Sequence, residues 1–294
     1  MLENYYDINK KDKFEQIFGK LYIGENPTPE HNKYLIIHLN FAEVNAGLDD
    51  YKKGLDGHCN IMFGSFCDVY AHLLPPGIKE EMNQKDGAVE QLRYLCQKTA
   101  EVGQKIYLFI DEYDNFTNMI LANEEHLVRY RKQTHGEGYL RKFFNAIKGA
   151  AGSSLGRVFV TGVSPVTMDD LTSGFNIGTN YSLNPRFNEM TGFTEEEVRE
   201  MLEYYASVLP FNHTVDELIK VMKPWYDNYC FAEEEYGKTT MYNSIMVLNF
   251  VSNYIDCGYQ IPKRMVESNI RMDYDKMRML IRHDKSFSHD ASII

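Results

Sequence analysis

The sequence predicts an α/β protein: a parallel sheet with flanking helices over residues 1–190, followed by a mainly helical subdomain over 191–285. Three observations carry that prediction. The segment from Lys105 to Phe116 reads KIYLFIDEYDNF. Its apolar run Ile106–Ile110 leads straight into Asp111 and Glu112, the pattern of a strand buried on both faces. Two further runs, Lys33–Asn40 (KYLIIHLN) and Arg157–Val163 (RVFVTGV), are separated from it by long helical stretches, as in parallel βαβ units. From Thr191 the apolar spacing becomes helical throughout.

In chain order, residues 1–20 have a helical pattern with no cap before it. The first strand follows at Lys33–Asn40. Leu48 to Ala100 predicts helices, interrupted at Leu74-Pro75-Pro76-Gly77. The strand ending in Asp111 comes next. Thr117 to Ala151 is mostly helical, with a polar break at residues 133–138. Arg157–Val163 is a third buried strand ending in Ser164-Pro165. In the helical part, Thr194 has the place of an N-cap and Glu197 that of its N3 partner, with Val198, Met201, Leu202 and Tyr205 at helical spacing. Residues 286–294 form a polar tail or a cut linker.

The totals set bounds. The chain has 294 residues, 44% hydrophobic and 25% charged, close to an ordinary globular protein. A net charge of −11 argues against a broad nucleic-acid surface. The five cysteines form no CxxC pair, which suits reduced thiols in the cytoplasm better than disulfides or a structural zinc. No apolar run approaches the ~18 residues a membrane span needs, and the N-terminus lacks the order of a signal peptide.

Two adjacent acids at the end of a buried strand lie on the sheet edge where open α/β folds bind ligands. In P-loop nucleotidases the first such acid holds Mg²⁺, usually through water, and the second polarises the attacking water. Asp111 is therefore the candidate metal residue and Glu112 the candidate catalytic one. The plainer alternative is a strand followed by an acidic turn. Thr161 and Ser164 end the neighbouring strand, where a hydroxyl senses the γ-phosphate; its alternative is a Ser-Pro turn. Arg157 and Arg186 are candidate charge partners for a nucleotide. Gly237-Lys238-Thr239 imitates the end of a phosphate loop, but Glu233, Glu234 and Glu235 precede it and would repel a triphosphate. It is expected to be a hairpin turn. Asp169-Asp170 and the basic segment His126–Lys132 are weaker candidates, read as solvated helix positions. Trp225 and Tyr229 are expected to pack the helical subdomain.

Taken together, several strings resemble the bacterial AAA-ATPase-like family. They are Leu108-Phe109-Ile110-Asp111-Glu112-Tyr113-Asp114; Thr161-Gly162-Val163-Ser164-Pro165 with residues 169–176; Met190–Val198, similar to the family's GFTxEEV helix start; Trp225–Phe231, similar to WYDGYxF; and Tyr242-Asn243 with Val247-Leu248-Asn249-Phe250, similar to YNPxSVLNF. Asn228 and Ser244 depart from the family's usual glycine and proline. The resemblance implies a P-loop NTPase-type sheet, a helical lid, and ATP binding and hydrolysis with Mg²⁺. It also implies that Met1–Ile8 is the end of a helix that follows the phosphate loop in that family. On this expectation the first strand and the phosphate loop are missing from these 294 residues. So is the PD-(D/E)XK nuclease-like domain that members commonly carry at the C-terminus, through which any nucleic-acid contact would run. The sequence is then an internal fragment or a truncated product that binds ATP weakly or not at all. The alternatives are a protein-interaction module or a nuclease-associated regulatory domain.

Overall fold

A computed structural model describes residues 1–44, 51–115, 138–162 and 178–266. The described residues up to 162 belong to one compact unit and those from Gly178 onward to another.

The first unit is built on a three-stranded parallel sheet in the order β1 (Leu35–Asn40), β2 (Ile106–Asp111), β3 (Leu155–Val160). The register aligns Asn40 with Asp111 and Ile110 with Val160. β2 is central and pairs on both sides, so no gap opens beside the strand of Asp111. This explains its composition: all five residues before Asp111 are buried. On one face, Leu35, Ile37, Leu39, Leu108 and Ile110 pack against α4 (Tyr51–Val69), α6 (Gly87–Glu101) and α7 (Tyr139–Ala150). The other face carries aromatic residues. Tyr107 stacks on Phe109 at 4.3 Å between ring centroids, Phe109 meets the edge of Phe159 at 6.0 Å, and Tyr6 and Tyr34 close over Tyr107.

The first two strands lie where the sequence pattern places them, with α5 at Ile78–Asn83 beyond the Pro75-Pro76-Gly77 break. The third is a correction: it starts earlier, at Leu155, and after that residue its positions are half-buried or exposed, because among the described residues β3 pairs on one side only. The helical reading of residues 117–137 and Val163 lie outside the described residues. Residues 1–20 are a correction. They form α1 (Leu2–Tyr6), a 3-10 turn (Ile8–Lys13) and α2 (Phe14–Phe18), not one helix. Asp7 breaks the run in extended conformation. Its Oδ1 accepts the Asn9 N–H at 2.9 Å and the Tyr70 hydroxyl at 2.9 Å, and its backbone bridges to Tyr34. These partners outcompete one more helical turn. A short α3 (Tyr22–Glu25) leads to β1.

The second unit contains α8 (Glu195–Val208), α9 (Val215–Tyr226) and α10 (Ser244–Asp256), with an antiparallel pair, β4 (Asp227–Tyr229) and β5 (Met241–Tyr242). Its core joins Val198 and Leu202 to Leu218, Met222, Tyr226, Tyr242, Val247 and Phe250. The predicted capping box is present: the Thr194 hydroxyl accepts the Glu197 N–H at 3.2 Å, and Glu197 Oε2 accepts the Thr194 N–H at 2.8 Å. Thr214 and Glu217 repeat the device on α9. Gly192, at φ 92, lets Phe193 exchange two backbone hydrogen bonds with Tyr242; a Cβ there would sit 2.8 Å from the Tyr242 carbonyl oxygen. No described helix is long and apolar enough to cross a membrane.

Candidate functional site

The carboxyl end of β2 holds the predicted acids. Asp111 is the last strand residue, half-buried, and Glu112 follows in left-handed conformation at φ 52. A non-glycine residue takes that conformation at a cost of about 1 kcal/mol, a form of strain that clusters at functional sites. It turns the chain sharply, so that the Glu112 N–H donates to its own neighbour, Asp111 Oδ1, at 2.9 Å. The Thr161 hydroxyl donates to the same oxygen at 2.5 Å. Asp111 Oδ1 is thus doubly occupied, while Oδ2 and the Glu112 carboxylate have no hydrogen-bond partner among the described residues.

Backbone pairing holds this arrangement. The Thr161 N–H donates to Ile110 O at 2.8 Å and the Tyr113 N–H to Thr161 O at 3.2 Å, so the strand-end register extends past β2 and β3. Asn115 ties the following turn to β1: its side-chain N–H donates to Phe41 O at 3.3 Å and its backbone N–H to Glu112 O at 2.9 Å. Asp114 is fully buried. Gly162 lies so close to it that a Cβ would fall 2.5 Å from Asp114 Oδ1 and 2.6 Å from the Tyr113 ring. The glycine is there for close approach, which a single sequence does not reveal.

A cleft of about 240 Å³ opens beside these residues and over the aromatic face of the sheet, lined among others by Glu3, His38, Phe109, Asp111, Phe159 and Thr161. His38 Nδ1 lies 2.8 Å from Glu3 Oε1. Neither residue is marked by any sequence motif; strand register brings His38 beside Phe109 and thus to the cleft.

The other predicted residues are placed differently. Arg157 pairs in register with Tyr107, at the amino half of the strands, and not with Asp111. There its guanidinium lies 4.0 Å from Glu30 Oε2, and the Tyr34 hydroxyl donates to the same carboxylate oxygen. Hydrogen bonding to Tyr34 holds the Arg157 value above the ordinary one, and the Tyr34 bond holds Glu30 below the usual carboxylate range. Arg186 belongs to the second unit, in a 3-10 turn (Pro185–Phe187) whose Asn184 side chain accepts the Arg186 N–H at 3.0 Å. Ser164, Asp169-Asp170 and residues 126–132 lie outside the described residues. Gly237 occupies a turn at φ 75 between β4 and β5, and Lys238 lies 4.0 Å from Glu235, as a hairpin connection predicts. Trp225 and Tyr229 are corrections. They are 54% and 39% exposed, while Tyr226 and Tyr242 fill the core. The α9 stripe Leu218, Met222, Tyr226 runs at four-residue spacing, which turns Trp225 off the buried face.

Fold and site define an α/β protein whose parallel sheet gathers two acids and a hydroxyl at its carboxyl edge. The family model described as "Predicted AAA-ATPase" matches residues 1–172, more than half of the 294, and the chain belongs to that AAA-ATPase-like family. No curated protein and no solved structure matches it.

Proposed function

We propose that the chain is a P-loop NTPase-type module acting on Mg-ATP, with the second unit as its helical lid. The observation that carries this is the Thr161 hydroxyl on Asp111 Oδ1 beside a strained Glu112, at the carboxyl edge of a parallel sheet. Membership of the predicted AAA-ATPase family supports it.

The donor set fits Mg²⁺ held through water. One carboxylate is oriented by two hydrogen bonds and, among the described residues, keeps its other oxygen unpartnered and belongs to no cluster of three or more acidic, histidine or cysteine ligands. Mg²⁺, when bound, would supply charge neutralisation on the phosphates. Asp111, through its second carboxylate oxygen, would hold the hydrated ion. Glu112 accepts a proton from the attacking water. Thr161 acts on Asp111 more directly than on phosphate, because its hydroxyl proton is already committed. The five free thiols support a cytoplasmic setting.

These 294 residues hold Mg-ATP weakly in this reading. The cleft of about 240 Å³ is below the roughly 300–1,000 Å³ of usual ligand sites. The sequence offers no Gly-Lys-Thr other than the acidic hairpin at 237–239. Isothermal titration with Mg-ATP tests this: a dissociation constant on the order of 1 mM or weaker is expected, with the remaining heat lost in Asp111→Asn. Micromolar binding overturns the weakness, and binding indifferent to Asp111→Asn overturns the site.

A second reading, partner binding by the second unit, is favoured by its exposed Tyr204, Val208, Trp225 and Leu248. A pull-down in which residues 191–285 retain a partner that residues 1–190 do not would support it.

A further inference from the structure

We propose that the second unit carries a ligand site of its own: a cleft at the Pro185–Phe187 turn that takes a free amino acid by its carboxylate and its ammonium together. The site lies within that unit and goes beyond the nucleotide reading. The cleft measures about 310 Å³ and is lined by Pro185, Arg186, Asn188, Glu189 and Glu235. That is the small end of the roughly 300–1,000 Å³ of ligand sites, which suits a small metabolite. Its two walls are tied to each other. Asn188 follows the turn, and its Oδ1 accepts the N–H of Phe231 at 3.0 Å and that of Ala232 at 3.0 Å, just ahead of a second 3-10 turn, Glu233–Glu235. The Cys230 thiol lies 3.7 Å from the same oxygen. Asn184 Oδ1 accepts the Arg186 N–H at 3.0 Å and sets the backbone of the first wall. Walls held this way are in place before a ligand arrives.

The groups brought together there do not satisfy one another. Arg186 and Glu189 have no ion pair among the described residues, and Glu235 has only Lys238 at 4.0 Å, the outer limit of one. Asn188 is 3% exposed; with its Oδ1 committed, its buried Nδ2 has no hydrogen-bond partner. A buried amide N–H left unpaired is costly, and a ligand acceptor at the floor of the cleft is the partner it lacks. The cleft thus offers donors of one kind and acceptors of the other. A guanidinium and an amide N–H match a carboxylate, which arginine binds through two parallel hydrogen bonds. Glu189 and Glu235 match an ammonium. A triphosphate would meet those two carboxylates, as it would at the acidic hairpin. Two acids against one guanidinium favour an amino acid with a second positive charge, so L-lysine is the probe.

Titration of the full chain with L-lysine, followed by amide chemical shifts, tests the proposal. Saturable shifts are expected at Arg186, Asn188 and Glu189, the Asn188 side-chain amide included, with a dissociation constant on the order of 1 mM. Acetate and methylammonium each carry one half of the ligand and should bind at least about tenfold more weakly. Arg186→Gln and Glu189→Gln, both at exposed positions, should each weaken lysine binding about tenfold and leave the far-ultraviolet circular dichroism spectrum unchanged. Asn188→Asp keeps the acceptor for Phe231 and Ala232 but removes the donor, and should weaken binding at least as much. Absence of a saturable shift at these three residues overturns the proposal. So does acetate or methylammonium binding as tightly as lysine, or lysine binding indifferent to Arg186→Gln or to Glu189→Gln.

Discussion

The two ends of the same three strands are built to opposite standards. At the amino half, Arg157, Glu30 and Tyr34 satisfy one another, and Tyr34 shares its ring contacts with Tyr6 and Tyr107. At the carboxyl end, a left-handed Glu112 and a glycine pressed against Asp114 leave one carboxylate oxygen of Asp111 and both of Glu112 without partners among the described residues. Settled charges do structural work. In the proposed function, strain beside carboxylates with spare acceptors is what assigns the ligand to this end.

The contrast breaks most visibly at Gly162. Gly162→Ala forces a Cβ against Asp114 and the Tyr113 ring and should cost about 2 kcal/mol of stability, as overpacking does. Urea unfolding measures it; a loss below about 0.5 kcal/mol would show that the turn gives way easily. A smaller effect is expected from Thr161→Val, which strips one of two donors from Asp111 Oδ1. About 1 kcal/mol should be lost, and Thr161→Ser should restore most of it in the same experiment.

His58 sharpens the comparison through pH. It sits on α4 with Nε2 buried and without a hydrogen-bond partner among the described residues, and Nδ1 lies 4.0 Å from Glu43, just beyond the end of β1. Burial holds its imidazole below the ordinary value, partly offset by Glu43. The folded state therefore binds this proton less readily than the unfolded chain. Its stabilising contribution is full above about pH 6.5 and declines as pH falls toward the folded value. Urea midpoints over a pH series should fall less steeply on the acid side in His58→Gln than in the wild type; parallel curves would remove His58 from the account. The smallest effect belongs to the amino end: Arg157→Ala, on an exposed side chain with a 4.0 Å ion pair, should change stability by no more than about 0.5 kcal/mol.

Much of this was legible in the sequence. The run from Ile106 to Ile110 announced a strand buried on both faces, and β2 is the central strand. Thr194 and Glu197 announced their capping box because such boxes are local. What escaped depends on contacts far apart in the chain. Asp7 breaks the first helix because Tyr70 and Tyr34 are waiting for it. His38 reaches the cleft through strand register. Arg157 is drawn away from the acids because it stands four residues before Thr161 on the same strand, beside Tyr107. Trp225 is exposed because the apolar stripe of its helix chose Tyr226.

The most direct test is a Mg-ATP titration followed by amide chemical shifts. The account predicts shifts concentrated at Ile110, Glu112 and Thr161, with Tyr34 and Arg157 unmoved, and their loss in Asp111→Asn. Shifts centred on Arg157 and Tyr34, or no shift at the carboxyl end at saturating nucleotide, would contradict it.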